Sequence, residues 1–233
     1  WASVGTFSNA NSDVDRIYFG DIDSDGISEA IVGWSSYLTG GSQVTMYKYK
    51  EGSVSEVIVN DDTNYADMAF MDITNDGVSD LVILTTATED DTGKSTSLAR
   101  LYSSCANGKF SRVSEIKTNP NVVSYSQIMQ GTVSDGVNGL FVDGNTSSLD
   151  ELITEVIYYS SQKKSLVSPL DVTQNDGTVT NVTQRVTSSV CRDIDEDGII
   201  EVPSPFTPTL TDDKLTPCPI TKWYKIDADK GKM

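Results

Sequence analysis

An acidic motif recurs along the chain, and this constrains the fold more than any other feature. Residues 19–32 carry Asp21, Asp23, Asp25, Gly26 and Glu29 in fixed spacing. Residues 70–83 repeat the pattern with Asp72, Thr74, Asp76, Gly77 and Asp80, and residues 191–202 repeat it with Asp193, Asp195, Asp197, Gly198 and Glu201. A decayed copy lies at residues 129–142, where Gly131, Val133, Asp135, Gly136 and Gly139 stand at the corresponding places. Counted from the first motif position, the spacings are 51, 59 and 62 residues. A chain that returns to one pattern at such intervals builds one supersecondary unit several times.

Short apolar runs flank each motif. Residues 16–20 and 30–33 bracket the first, 68–71 and 81–84 the second, 122–129 and 140–142 the decayed copy. They are too short for helices and rich in β-branched residues, so they read as strands. Further strand-like runs follow at 43–49, 54–59, 97–102, 110–116 and 154–159. The 29 Ser and 24 Thr suit strands and turns better than helices. About four strands per repeat is the content of one propeller blade. The expectation is an all-β fold: a β-propeller-like array of about four four-stranded blades in one domain over residues 1–233, with repeats at 14–65, 66–121, 122–184 and 185–233. Residues 2–7 are expected to complete the last blade, which hides an edge strand. The polar runs 87–95 and 173–180 read as exposed loops, and 204–219, with four of the seven prolines, as an irregular connection.

Alternating carboxylates closed by glycine suit a hard cation. Calcium takes six to eight oxygens at about 2.3–2.6 Å, and a tight loop can turn positions 1, 3 and 5 inward together. Glycine at position 6 tolerates the positive φ of the sharp turn. Position 7 offers its carbonyl and position 9 a further side chain. The candidate ligands are therefore Asp21, Asp23, Asp25, Ile27 (carbonyl) and Glu29; Asp72, Thr74, Asp76, Val78 (carbonyl) and Asp80; and Asp193, Asp195, Asp197, Ile199 (carbonyl) and Glu201. The decayed copy keeps one carboxylate, Asp135, and is expected to bind no metal. An EF-hand needs a bidentate Glu at position 12 between two helices. Here position 12 is Val32, Ile83 and Ser204, between strands. The competing reading is three Asp-rich turns held by their own hydrogen bonds.

The arrangement resembles the FG-GAP/VCBS-type repeat family of calcium-binding β-propeller blades found in cell-surface proteins. The resemblance rests on the aromatic two positions before the loop (Phe19, Phe70), the acidic loop, and the apolar triplet after it, with Cys191 and Pro203 departing in the last copy. Residues 192–203 and 221–224 are similar to segments of secreted bacterial repeat proteins. The resemblance implies up to three calcium ions, a secreted or lipid-anchored setting at a bacterial surface, and a binding or scaffolding role. It also implies a propeller larger than four repeats or a compact four-repeat unit.

Composition narrows the function. A net charge of −17 and a pI near 4.2 disfavour nucleic-acid backbones and anionic lipid as partners. With His 0, triads built on histidine and histidine-ligated zinc are impossible within the chain. No apolar run of about 18 residues suggests a membrane span. The chain begins at Trp1 and reads as a piece of a longer or processed protein. Of Cys105, Cys191 and Cys218, the last two either pair in an oxidising compartment or all three remain thiols. Thr92-Gly93-Lys94-Ser95 lacks the earlier glycine of a phosphate-binding loop, since position 88 is Thr. Trp34, Tyr37, Trp223 and Tyr224 are candidates for a sugar platform, with ordinary strand packing as the plainer reading. The leading expectation is a non-catalytic, calcium-stabilised extracellular module whose ligand is a protein or a glycan. The alternative is a carbohydrate-active enzyme with paired carboxylates in a central cleft, and a third is a plain spacer. Every patterned carboxylate already belongs to a loop, which favours the binding module over the enzyme.

Overall fold

The computed structural model describes residues 3, 5–38, 42–57, 64–89, 95–105, 109–147, 152–168, 171–173, 179–181, 184–185, 191–203, 210–211, 214–215 and 223–230. Every regular element among them is a β-strand. Strands β1 (Asp13–Gly20), β2 (Glu29–Ser35), β3 (Ser42–Lys50) and β4 (Ser53–Val57) form one four-stranded sheet in chain order. Strands β5 (Asp67–Met71), β6 (Asp80–Glu89), β7 (Ser95–Cys105) and β8 (Lys109–Thr118) form a second. A third joins β9 (Ser124–Ser134), β10 (Val137–Asn145), β11 (Leu152–Ser160) and β12 (Ser165–Val167). Short pairs follow: β13 (Asp171–Thr173) with β14 (Val179–Asn181), then β15 (Gln184–Arg185) added to β11. In the last region β16 (Val202–Pro203) pairs with β19 (Trp223–Tyr224), and between them β17 (Leu210–Thr211) pairs with β18 (Lys214–Leu215). Consecutive antiparallel pairing is what short alternating runs joined by tight turns produce.

The chain divides into two compact units, Trp1–Thr85 with Leu98–Glu115, and Thr86–Ser97 with Ile116–Met233. In the first unit, Ile22, Ile31, Met46, Met68, Leu81, Ile83, Tyr102 and Phe110 form one buried core. Full burial of each such aliphatic side chain stabilises the fold by about 1.5–3 kcal/mol before entropy is counted. Phe70 packs against this core directly over Gly20: a Cβ at that glycine would lie 2.2 Å from the Phe70 ring. Phe19, its counterpart in the first motif, is 71% exposed, so the two motif aromatics occupy different surroundings. In the second unit, Val133, Phe141, Val156, Tyr158, Cys191, Val202 and Ile226 pack together. The central strand β10 is buried on both faces from Gly139 to Gly144.

Three details differ from the sequence reading. The run 87–95 is not wholly loop, because β6 continues to Glu89 and β7 begins at Ser95; threonine-rich chain there favours extended backbone. Likewise the ends of 173–180 belong to β13 and β14. Ser3 and Gly5–Phe7 form no strand; Phe7 instead stacks on Tyr47 of β3, with ring centroids 4.4 Å apart. Cys218 and residues 92–94 lie outside the described residues, as does most of 204–219. Cys191 is buried.

Candidate cation-binding turns

The three acidic motifs fold into the same turn, the first two between the first and second strands of a sheet and the last within the Arg192–Glu201 bridge that leads into β16. The backbone repeats closely. Position 4 takes a left-handed conformation at Ser24 (φ 59), Asn75 (φ 63) and Glu196 (φ 62), and position 6 does so at Gly26 (φ 82), Gly77 (φ 88) and Gly198 (φ 89). The first carboxylate holds the turn from inside. Asp21 accepts the Asp25 and Gly26 amides at 3.1 and 2.8 Å, Asp72 those of Asp76 and Gly77 at 3.1 and 2.9 Å, and Asp193 those of Asp197 and Gly198 at 3.1 and 2.7 Å. The fifth-position carboxylates of Asp25, Asp76 and Asp197 each accept the amide two residues on at 2.9 Å.

The ninth-position carboxylate ties the strand back to the turn. Glu29 Oε2 accepts the Ile22 amide at 3.0 Å and Glu201 Oε2 the Ile194 amide at 2.8 Å. Asp80, one methylene shorter, accepts the Ile73 and Thr74 amides and the Thr74 hydroxyl through Oδ2 at 3.0–3.2 Å. All three are buried, and each keeps one oxygen without a hydrogen-bond partner: Glu29 Oε1, Asp80 Oδ1 and Glu201 Oε1. Burial raises the pKa of Glu29 and of Asp80, against the pull of the amides they accept. Two groups bring acidic ligand atoms within 4.8 Å of one another: Asp21, Asp23 and Glu29, and Asp193, Asp195 and Asp197. Oxygen donors gathered this closely can hold a metal ion.

The sequence reading missed two residues in these turns. Lys48 of β3 sets its ammonium on Asp23 Oδ2, on Asp25 Oδ2 at 2.6 Å, and facing Glu29 Oε1 at 3.7 Å. Lys225 does the same in the last turn, reaching Asp197 Oδ2, Asp195 Oδ2 at 2.9 Å and Glu201 Oε1 at 3.3 Å. The Asp23 and Asp25 carboxylates push the Lys48 ammonium above its ordinary pKa, and Asp197 and Asp195 do the same to Lys225. In return Lys48 holds Asp25, and Lys225 holds Asp197, below the usual carboxylate range, each aided by the amide it accepts. Register explains the placement. Ala30 pairs with Tyr47 and Val202 with Tyr224, so the next residues, Glu29 with Lys48 and Glu201 with Lys225, stand across from each other. The legible signal was a Tyr-Lys dipeptide in both repeats, against Tyr102-Ser103 in the second. The Ser103 hydroxyl there neighbours Asp80 and eases its carboxylate.

The resemblance implies calcium in all three turns, and the donors fit it unequally. In the second turn buried Asp80 has the Ser103 hydroxyl beside it, and its acids are not among the groups that gather within 4.8 Å. The first and last turns are the ones whose acids gather closely enough for a metal ion, and in both an ammonium sits on those carboxylates. The decayed copy is built differently. Strand β9 runs to Ser134 and only Asp135 and Gly136 (φ 67) separate it from β10, a tight hairpin with a bulge after Val137. Val133, at position 3, is fully buried, Asp135 is exposed, and Gly139, at position 9, pairs with Tyr158.

The other candidates separate as follows. Trp34 is buried and its Nε1 donates to Thr45 Oγ1 at 2.6 Å, which makes it a packing residue. Tyr37 is 72% exposed. Trp223 lies under the Arg192 guanidinium, 5.4 Å from the ring centroid. No helix of the described residues is long and apolar enough to cross a membrane.

No protein-family model matches the chain, and no curated protein matches it in sequence. Among solved structures it is similar to the crystal structure of the exotype rhamnogalacturonan lyase YesX, with a TM-score of 0.56 at 13% identity. The similarity covers 82% of this chain and 38% of that one, so this chain spans well under half the lyase. Identity this low speaks for the fold alone.

Proposed function

We propose that this chain is a non-catalytic, calcium-stabilised extracellular module of β-propeller-like blades, with a protein or a glycan as its ligand. The observation that carries the reading is the use of the acidic turns. In each, the first and ninth carboxylates accept the turn's own amides, a structural task rather than a catalytic one. The propeller arrangement draws support from three sheets of consecutive antiparallel strands, two of them opening on the acidic turn. Calcium draws support from the turn geometry that the three motifs share and from buried Asp80, which has the Ser103 hydroxyl beside it where the other two turns hold a lysine. An extracellular setting follows from the resemblance and from the abundance of calcium outside cells.

The alternative is a carbohydrate-active enzyme. It needs two carboxyls outside the turns that share an open cleft. Among the described residues outside them, Glu155 has a carboxyl whose pKa burial raises, but it is 2% exposed and bonded to the Asn119 amide, which suits a core position better. The test is thermal melting of the purified chain in calcium and in chelator, beside a binding screen of proteins and glycans. A melt that chelation leaves unmoved removes the calcium part of the proposal, and turnover of a polysaccharide removes the non-catalytic part.

A further inference from the structure

We infer that in the first and last acidic turns a lysine ammonium takes the place of a divalent cation, so that these two turns are locked without metal. The inference rests on the calcium reading of this turn type and divides the turns by what stands across from position 9. Lys48 stands opposite in the first repeat, Tyr158 in the decayed copy and Lys225 in the last, while in the second the residue beside Asp80 is Ser103. The occupant of the turn changes with it. Lys48 lies among Asp23, Asp25 and Glu29, and Lys225 among Asp195, Asp197 and Glu201, the same three motif positions in both. Where the opposing residue is Tyr158, position 3 is the buried Val133 and position 9 is a glycine, so apolar packing fills the place.

The chemistry is matched. An ammonium offers three N–H donors, and three carboxylates converge on it. Glu29 and Glu201 are 0% and 3% exposed, and each turns its second oxygen toward the ammonium, at 3.7 and 3.3 Å. Calcium needs six to eight oxygens at about 2.3–2.6 Å, and an Nζ seated on the same oxygens occupies that volume. The ammonium is also tethered by the strand, so its local concentration does not fall when the medium is poor in calcium. An ion would have to displace it and leave a lysine to be solvated elsewhere.

The experiment counts calcium bound to the whole chain by equilibrium dialysis, for the wild type, Lys48→Met, Lys225→Met and the double variant. The expected result is one added ion in each single variant and two in the double, with melts that become calcium-dependent. Three ions on the wild type would overturn the lysine inference while leaving the calcium reading intact. No ion on the wild type but a gain in the variants would refute calcium in the second turn and uphold the lysines. No gain in folded variants would overturn the inference. Should the variants not fold, the wild type still decides. Its Lys48 and Lys225 side-chain signals, read by NMR at the ε-carbon, are expected to stay unshifted through a calcium titration. Their shift on adding calcium would refute the substitution.

Discussion

Replacing Glu155 with glutamine should remove one specific pH dependence of stability. Glu155 sits on β11, 2% exposed, with Oε1 accepting the Asn119 amide at 2.7 Å and Oε2 without a hydrogen-bond partner. Burial pushes its pKa from 4.5 to about 7, against the pull of that amide. Between those values the folded chain keeps a proton that the unfolded chain has lost. Stability therefore falls as pH rises through that window, is fully present below about 4.5, and is fully lost above about 7. The displacement corresponds to about 3 kcal/mol, at about 1.4 kcal/mol per pKa unit. Urea denaturation of wild type and Glu155→Gln at several pH values from 4.5 to 8 isolates the effect, since the other titrations are common to both. The free-energy difference between the two proteins should move by about 3 kcal/mol in favour of the variant as pH rises. A difference that stays flat across the window would show that Glu155 is ionised in the fold at an ordinary pKa.

Chelation should lower the melt of the wild type, and Asp80→Ala should abolish that response, because Asp80 anchors the one turn with no lysine opposite position 9. A single site filled at 100 times its Kd contributes about 2.7 kcal/mol. Asp135→Ala, in the decayed copy, should leave the response to chelator intact. Gly20→Val should cost about 1–3 kcal/mol in urea denaturation, since its side chain must displace the Phe70 ring. Gly198→Ala meets no neighbouring atom within 4 Å, so its loss of about 1 kcal/mol would report backbone strain at φ 89 alone; an unchanged melt would contradict that strain.

The strand content was legible because apolar alternation and β-branched composition act locally. The runs 16–20, 30–33, 68–71 and 81–84 all fall inside β1, β2, β5 and β6. The acidic turns were legible because their hydrogen bonds close within five residues of each aspartate. Lys48 and Lys225 were not, because they enter the turns across a strand pair, 23–25 and 28–30 residues from the aspartates they touch. A motif read along the chain cannot reveal a partner that only the register brings opposite. For the same reason Phe19 and Phe70 looked equivalent: their motif neighbours match, but only Phe70 meets a core.

The left-handed residues at positions 4 and 6 separate the mould of the turn from its filling. Ser24, Asn75 and Glu196 share one backbone shape although their side chains have little in common, and the glycines that follow complete it. The mould is set by amide-to-carboxylate bonds that do not involve the opposing strand. What fills it is decided by one residue on that strand. A turn of this kind can therefore pass from ion-filled to self-filled through a single substitution, with its backbone and its neighbouring strands unchanged. Repeats of one chain can then answer differently to the same ionic medium while keeping the same backbone outline.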